Sequence, residues 1–357
     1  MAETESTALL GMSVQELESW LRDRFGEPRY RAQQIFQWMH QKNVFQFEDM
    51  KNLPGTLRQK LQENADIYVP PVLKEQSAPD GTRKLLLEMK DGKRVETVLI
   101  PQKSEGNRKY SICISTQVGC PVHCAFCATG NSGFYRNLKT EEIVGQVISS
   151  RQELHRCLHR PDTEKMITNV VYMGMGEPFL NYDATLASLR LLNAHEGLDI
   201  GQRRITVSTS GEVKGIQKLT RENLQVTLAV SLHACNDALR NVLVPMNRKY
   251  PLAELMKALA LYDRETGRRI TFEYILLEGK NMSRKDADDL IRYVKPLGAN
   301  VNLIPYNEVK GLPFQRPSRK KVMEFVQYLR EHDINVILRG EHGPNIQAAC
   351  GQLAVQK

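Results

Sequence analysis

The sequence predicts an α/β fold, an open partial barrel of six (βα) units preceded by a helical appendage and a small linking β-sheet. Three patterns carry that prediction. Apolar residues recur at helical spacing up to about residue 65, two short β-like runs flank the turn pair Asp91-Gly92, and strand-like and helical stretches alternate from Tyr110 onward.

In order along the chain, Leu17, Trp20 and Leu21, then Ile35, Phe36, Trp38 and Met39, then Leu57 and Leu61 fall on helical faces between turn signals. Residues 1–65 therefore read as a helical unit. Residues 84–89 and 94–100 have strand composition, and Asp91-Gly92 between them suits a tight hairpin, so residues 66–105 read as a β linker. Six β-rich runs follow at 110–116, 169–175, 204–210, 226–233, 271–277 and 300–306. Parallel strands joined by helices are the economical arrangement of that order, which assigns residues 106–340 to the barrel. Residues 336–339 add a short closing strand, and 341–357 form a C-terminal segment.

The chain has 357 residues, 41% of them hydrophobic and 25% charged, enough for a barrel-sized core. No apolar run approaches the roughly 20 residues that a bilayer-spanning helix needs. Residues 1–11 lack the basic start and long apolar core of a secretory signal, which places the protein in the cytoplasm. Lys and Arg total 49 against 41 Asp and Glu, and the net charge of +8 favours a polyanionic partner such as nucleic acid. Solvated faces account for most of the basic pairs, Arg203-Arg204 and Lys320-Lys321 among them. Seven cysteines in a reducing compartment point to metal ligands or catalytic thiols instead of a disulfide framework.

Cys120, Cys124 and Cys127 stand as Cys-x3-Cys-x2-Cys directly after the first barrel strand, without a fourth cysteine nearby. One alternative is a structural zinc site completed by His123 or a distant cysteine; the other is a four-iron cluster whose fourth iron stays open as a reaction site. The spacing, with Phe126 before the last cysteine, resembles the signature of the radical S-adenosylmethionine (SAM) superfamily.

Barrel chemistry gathers at the C-terminal ends of strands. The predicted ends carry Gly174-Met175-Gly176-Glu177-Pro178, Ser208-Thr209-Ser210-Gly211, Ser231-Leu232-His233 and Tyr306-Asn307. Glycines 174 and 176 would let a ligand approach the backbone, and the carboxylate, hydroxyls, imidazole and amide can bind an ammonium, a ribose and an adenine edge. Among the remaining thiols, Cys157 and Cys235 fit the role of small hydrophobes. Cys113 lies within the first strand, and Cys350 lies in the sequence Ala348-Ala349-Cys350-Gly351-Gln352, in a polar tail with Gly343 and Pro344 that favours solvent access.

From about residue 13 to 353 the chain resembles the radical SAM dual-specificity RNA methyltransferases that form 2-methyladenosine. The matching pieces are residues 95–98, Cys113 seven residues before Cys120, and residues 119–127, 174–178, 208–211, 231–233, 302–307 and 348–353. The resemblance implies that Cys120, Cys124 and Cys127 hold a [4Fe-4S] cluster. It implies that Gly176, Glu177, Ser208, Ser231, Leu232, His233 and Asn307 contact SAM, that Cys350 carries the methyl group, that Cys113 is its disulfide-forming partner and that Glu96 accepts a proton. The substrates it implies are adenosine 2503 of 23S rRNA and adenosine 37 of certain tRNAs. Two SAM molecules per turnover, a flavodoxin-type electron donor and a monomer go with them.

The proposed chemistry asks for these groups. Carbon 2 of adenine lies between two ring nitrogens and is too electron-poor to attack the methyl of SAM, whereas a thiolate does so readily. A deoxyadenosyl radical from a second SAM would remove hydrogen from the thioether methyl, and the carbon radical would add to carbon 2. Release then requires loss of the carbon 2 proton and attack by a second thiol. The helical appendage and basic loops would hold the RNA while the target base is splayed into the barrel mouth. Two other readings remain open here: the sister activity that methylates carbon 8 of the same ribosomal adenosine, and a non-catalytic zinc-containing RNA-binding protein. The appendage and Ile304-Pro305-Tyr306-Asn307 favour carbon 2.

Overall fold

The computed structural model describes residues 6–102, 109–161, 164–340 and 343–355; residues 1–5 and the boundaries expected near 105 and 340 lie outside them. One sheet of ten strands dominates, and its spatial order follows the chain. The strands are β1 (Val72–Ser77), β2 (Arg83–Glu88), β3 (Arg94–Pro101), β4 (Tyr110–Cys113), β5 (Ile167–Tyr172), β6 (Ile205–Thr209), β7 (Thr227–Ser231), β8 (Ile270–Leu276), β9 (Asn300–Pro305) and β10 (Val336–Leu338).

From β4 to β10 every pairing is parallel. The six expected runs and the closing strand are all present, and helices fill the crossovers, among them Thr140–Leu158, Tyr182–Asn193, Val213–Arg221, Leu252–Thr266, Arg284–Val294 and Arg319–Glu331. The outer strands β10 and β1 are not paired to each other, so the barrel stays open.

The linking strands extend the barrel sheet antiparallel, with Val98 of β3 opposite Cys113 of β4. Val95, Glu96, Thr97, Val98 and Leu99 are all buried, so β3 needs cover on both faces, as a barrel strand does. β1 was not anticipated: Lys74, Glu75 and Gln76 interrupt its apolar signal, as befits a polar edge strand.

Ahead of the sheet, α1 (Val14–Phe25), α2 (Tyr30–His40) and α3 (Gly55–Asn64) form the helical unit. Ser13 and Glu16 make a capping box at the start of α1. Leu17, Leu21, Ile35, Phe36, Met39, Leu57 and Leu61 are buried, while Trp20 and Trp38 are only partly so. The unit docks on the first crossover helix, where Arg151 donates to the His40 carbonyl at 2.8 Å.

Candidate active site

The cysteine loop hangs between two short antiparallel strands, Gln117–Gly119 and Phe134–Asn137. Cys120 N–H donates to the Gly133 carbonyl at 3.0 Å, and Gly119, at φ 81°, has no room for a side chain because a Cβ would lie 2.0 Å from that carbonyl oxygen. Ala125 N–H pins the far side of the loop to the Leu243 carbonyl at 3.0 Å. All three thiols line an open cavity of about 870 Å³. Burial pushes the Cys120 thiol up to about 12 and Cys124 well above its ordinary range. His123 is exposed, and its Nδ1 lies 2.8 Å from the Gly130 carbonyl.

Gly176, Glu177, Ser208, Ser231 and His233 line the same cavity. Glu177 is buried, and its two oxygens accept from Phe179 N–H at 3.1 Å and Ser210 N–H at 2.6 Å, joining the ends of β5 and β6. Burial pushes its pKa up. His233 Nδ1 accepts from Ile275 N–H at 3.0 Å, which makes the ring the neutral Nε2–H tautomer, and burial lowers its pKa to about 3. Phe126, the aromatic of the cysteine motif, packs edge-on against that ring at 4.7 Å. Leu232 is wholly buried behind the wall, its N–H on the Glu273 carbonyl at 3.0 Å. The glycines do more than open the backbone to a ligand: a Cβ on Gly174 would meet the Ile114 carbonyl oxygen at 2.6 Å, and one on Gly176 would meet Gln117 at 2.7 Å. The chain's own loop 114–117 makes the close approach.

An adjoining compartment of about 810 Å³ is lined by Cys113, Asn307 and Cys350, and it shares Cys127, Met173, Arg339 and Cys350 with the first. Cys350 is exposed and Cys113 buried, the latter thiol pushed up to about 12 by burial and then by Cys350. The C-terminal segment reaches this place through ties to distant parts of the chain. Ala128 N–H donates to Gly351 at 2.8 Å, Thr129 Oγ1 to Leu353 at 2.5 Å, and Gln352 Nε2 to Glu308 at 3.1 Å. Glu96 does not line the cavity. It lies buried beneath the segment, ion-paired to Lys84 at 3.0 Å and accepting from Ala354 N–H at 3.0 Å.

Comparison with known proteins decides the family. The model described as "Ribosomal RNA large subunit methyltransferase N-terminal domain" matches residues 7–67, and the Radical SAM superfamily model matches residues 114–292. A dual-specificity RNA methyltransferase RlmN of Syntrophomonas wolfei is 52% identical over 99% of this chain and 98% of its own length. The one from Dictyoglomus turgidum is 44% identical over 97% and 96%. A crystal structure of a radical SAM methyltransferase from Sphaerobacter thermophilus superposes with a TM-score of 0.90 at 45% identity, covering 97% of this chain and 99% of that one. The chain belongs to the RlmN family.

As an RlmN-type protein it is a radical SAM RNA methyltransferase that uses a [4Fe-4S] cluster and SAM, as the cysteine motif led one to expect. The cavity fits both groups. Three thiols line it, and Ser210 Oγ, also in its lining, is buried without a hydrogen-bond partner among the described residues. The family sets aside the non-catalytic zinc reading. No described helix is long and apolar enough to cross a membrane.

Sequence reasoning missed three residues of this RlmN site. Arg240 is wholly buried and donates to the carbonyls of Leu232, Ser210 and Ser231 at 3.0, 2.8 and 3.1 Å and to Asn247 Oδ1 at 2.8 Å. Its signal was a charge beside Leu243 on the apolar side of the helix Asp237–Leu243. Glu273 interrupts the apolar run of β8, and Arg339 follows β10 at a strand end, where the rule used for the other strands would have found it.

Proposed function

We propose that this enzyme methylates carbon 2 of adenosine 2503 in 23S rRNA and of adenosine 37 in tRNAs, with Cys350 as the methyl carrier. The observation that supports it most is the convergence of Cys113, from the first barrel strand, and Cys350, from the last residues of the chain, on one compartment bordered by Cys127. A packing cysteine needs no such neighbour.

In this reading Cys120, Cys124 and Cys127 hold the [4Fe-4S] cluster, which supplies the electron that cleaves SAM. Gly176, Glu177, Ser208, Ser231, Leu232, His233 and Asn307 bind SAM, Glu177 facing its ammonium and neutral His233 offering Nε2–H to an acceptor on the nucleoside. Cys350 takes the methyl of a first SAM as a thioether, and after hydrogen removal its carbon joins carbon 2 of the base. Cys113 then attacks the Cys350 sulfur, so that an S–S bond forms as the bond from sulfur to the RNA-borne carbon breaks. That carbon takes up a proton to become the methyl group, and the one electron left over from radical addition would return to the cluster that gave one up to cleave SAM. Glu96 accepts the carbon 2 proton, and its link to Ala354 couples it to the segment that carries Cys350.

A flavodoxin-type reductase system, the cytoplasm and a monomeric state belong to the same reading; a reducing compartment suits seven free cysteines. The test is the mass of the Cys350 peptide after anaerobic incubation with reductant and labelled SAM, followed by analysis of the methylated nucleoside. A labelled methyl on Cys350 and 2-methyladenosine in the RNA are expected. An unmodified thiol in iron-loaded protein, or 8-methyladenosine, would overturn the reading.

A further inference from the structure

Arg339 is the only lysine or arginine among the described residues that line either compartment of the cavity. Its backbone N–H donates to the Leu303 carbonyl at 2.9 Å, fixing the chain just past β10 against β9. Its Nη1 lies 3.5 Å from Glu273 Oε2 and 3.8 Å from Met173 Sδ, and Glu273 Oε1 in turn accepts from Asn302 Nδ2 at 2.8 Å. The remaining guanidinium nitrogens have no partner among the described residues, and the side chain is 30% exposed. The surrounding walls are mostly apolar, with Met173, Ile304, Ala348 and Leu353 beside Thr129, Asn307 and the thiols of Cys113 and Cys350.

A guanidinium paired with a carboxylate at the edge of a mostly apolar compartment offers directed donors with little net charge. That combination suits a flat, neutral ring with nitrogen acceptors better than a phosphate or a free carboxylate, either of which would compete with Glu273. We propose that Arg339 donates a hydrogen bond to one of the two ring nitrogens flanking carbon 2 of the target adenine, with Glu273 and Asn302 aiming the guanidinium. This rests on the carbon 2 and Cys350 reading above.

The bond has a chemical consequence. When the carbon radical on Cys350 adds to carbon 2, one new C–C bond forms and the unpaired electron passes to the ring, with density on the adjacent nitrogens. An N–H donor held at such a nitrogen stabilises that density without reorganisation. Methyl loading of Cys350 precedes this step and does not need the donor.

The test uses reconstituted holoenzyme carrying Arg339→Met, with Arg339→Lys as the second variant should the first take up no iron. Hairpin RNAs carry adenosine, 1-deazaadenosine or 3-deazaadenosine at the target. For the variant, normal Cys350 methylation by mass and RNA affinity within about twofold of wild type are expected, since phosphate contacts dominate binding. Methylated RNA per deoxyadenosine formed should fall about tenfold to a hundredfold. Wild type should show a similar loss on one of the two deaza RNAs, and on that RNA the variant should lose nothing further. Additive losses on both deaza RNAs would overturn the proposal. So would loss of Cys350 methylation in iron-loaded variant, which would place Arg339 against SAM. Failure of wild type to methylate Cys350 would instead defeat the underlying reading.

Discussion

Glu177, at the strand-end side of the cavity, is fixed by two backbone donors on its carboxylate and by Gln117 on its own N–H, whereas Cys350, at the thiol side, belongs to a segment with no strand and a single 3₁₀ turn among its described residues. The first side is built on a parallel sheet and cross-tied by buried Arg240. The second depends on a few bonds from residues 343–355 to the cysteine loop, to Glu308 and to β2 and β3. The difference matches the work proposed for each side. Groups that hold a reagent in one geometry gain from rigidity, while a cysteine whose sulfur bonds in turn to methyl, RNA and a second thiol needs a support that can open locally.

Arg240→Met is the most direct way to break the rigid side. It leaves the Leu232, Ser210 and Ser231 carbonyls short of a donor in a buried place, at a cost of about 3 kcal/mol or more. Urea unfolding should show that loss, and SAM affinity should fall with it, because two proposed contacts, Ser231 and Leu232, shift together. A midpoint close to that of the parent would mean that the sheet holds these strand ends unaided.

Acid should attack the rigid structure as well. His233 at the strand ends and His40 under the helical unit are buried, and burial lowers both from 6.5 to about 3. Unfolded chain therefore binds more protons than folded chain between those values. The stability from neutral burial is complete above about pH 6.5 and is lost as pH falls towards 3, by about 1 kcal/mol per histidine at pH 5.5. His40→Phe should shrink the difference in unfolding free energy between pH 7 and pH 5.5 by about that amount. An unchanged difference would show that His40 is not held neutral.

The rigid side was also the more legible one. Strand composition and the strand-end rule located Glu177, Ser208, Ser231, His233 and Asn307, because a parallel sheet turns sequence order into spatial order. The cysteine motif is local and needed no tertiary information. What puts Cys350 beside Cys127 is a pair of bonds between residues 128–129 and 351–353, and no periodicity encodes such ties. The same holds for Lys84, a strand lysine whose composition suggests solvent and whose ammonium is buried between Glu96 and the Gln347 carbonyl. The resemblance named Glu96 as an acid–base group, while its place in the structure makes it an anchor of the segment too.

Lys84→Met tests whether the flexible side moves as a unit. Removing the ammonium breaks the Glu96 pair and the bond to Gln347, which should raise amide exchange across residues 343–355 by about tenfold or more. Iron content should stay at the parent level, since among the described residues Lys84 is tied to Glu96 and the Gln347 carbonyl and not to the cysteine loop. Equal exchange in variant and parent would mean that the bonds from residues 128 and 129 hold the segment alone.

The smallest expected effect isolates the backbone. Gly119, at the start of the cysteine loop, and Gly351, in the C-terminal segment, have nearly the same φ, 81° and 83°. At Gly119 a Cβ collides with the Gly133 carbonyl oxygen, so the cysteine loop admits no side chain there. At Gly351 the nearest atom to a Cβ is the Phe126 carbonyl oxygen at 3.8 Å, so Gly351→Ala meets only the intrinsic cost of a left-handed backbone, about 1 kcal/mol. If the segment opens without the sheet, that cost should appear as roughly fivefold faster exchange at residues 343–355 and slower methyl loading of Cys350, with SAM affinity unchanged. If the whole protein instead loses stability by that amount, the segment unfolds with the barrel and the contrast between the two sides is one of position alone.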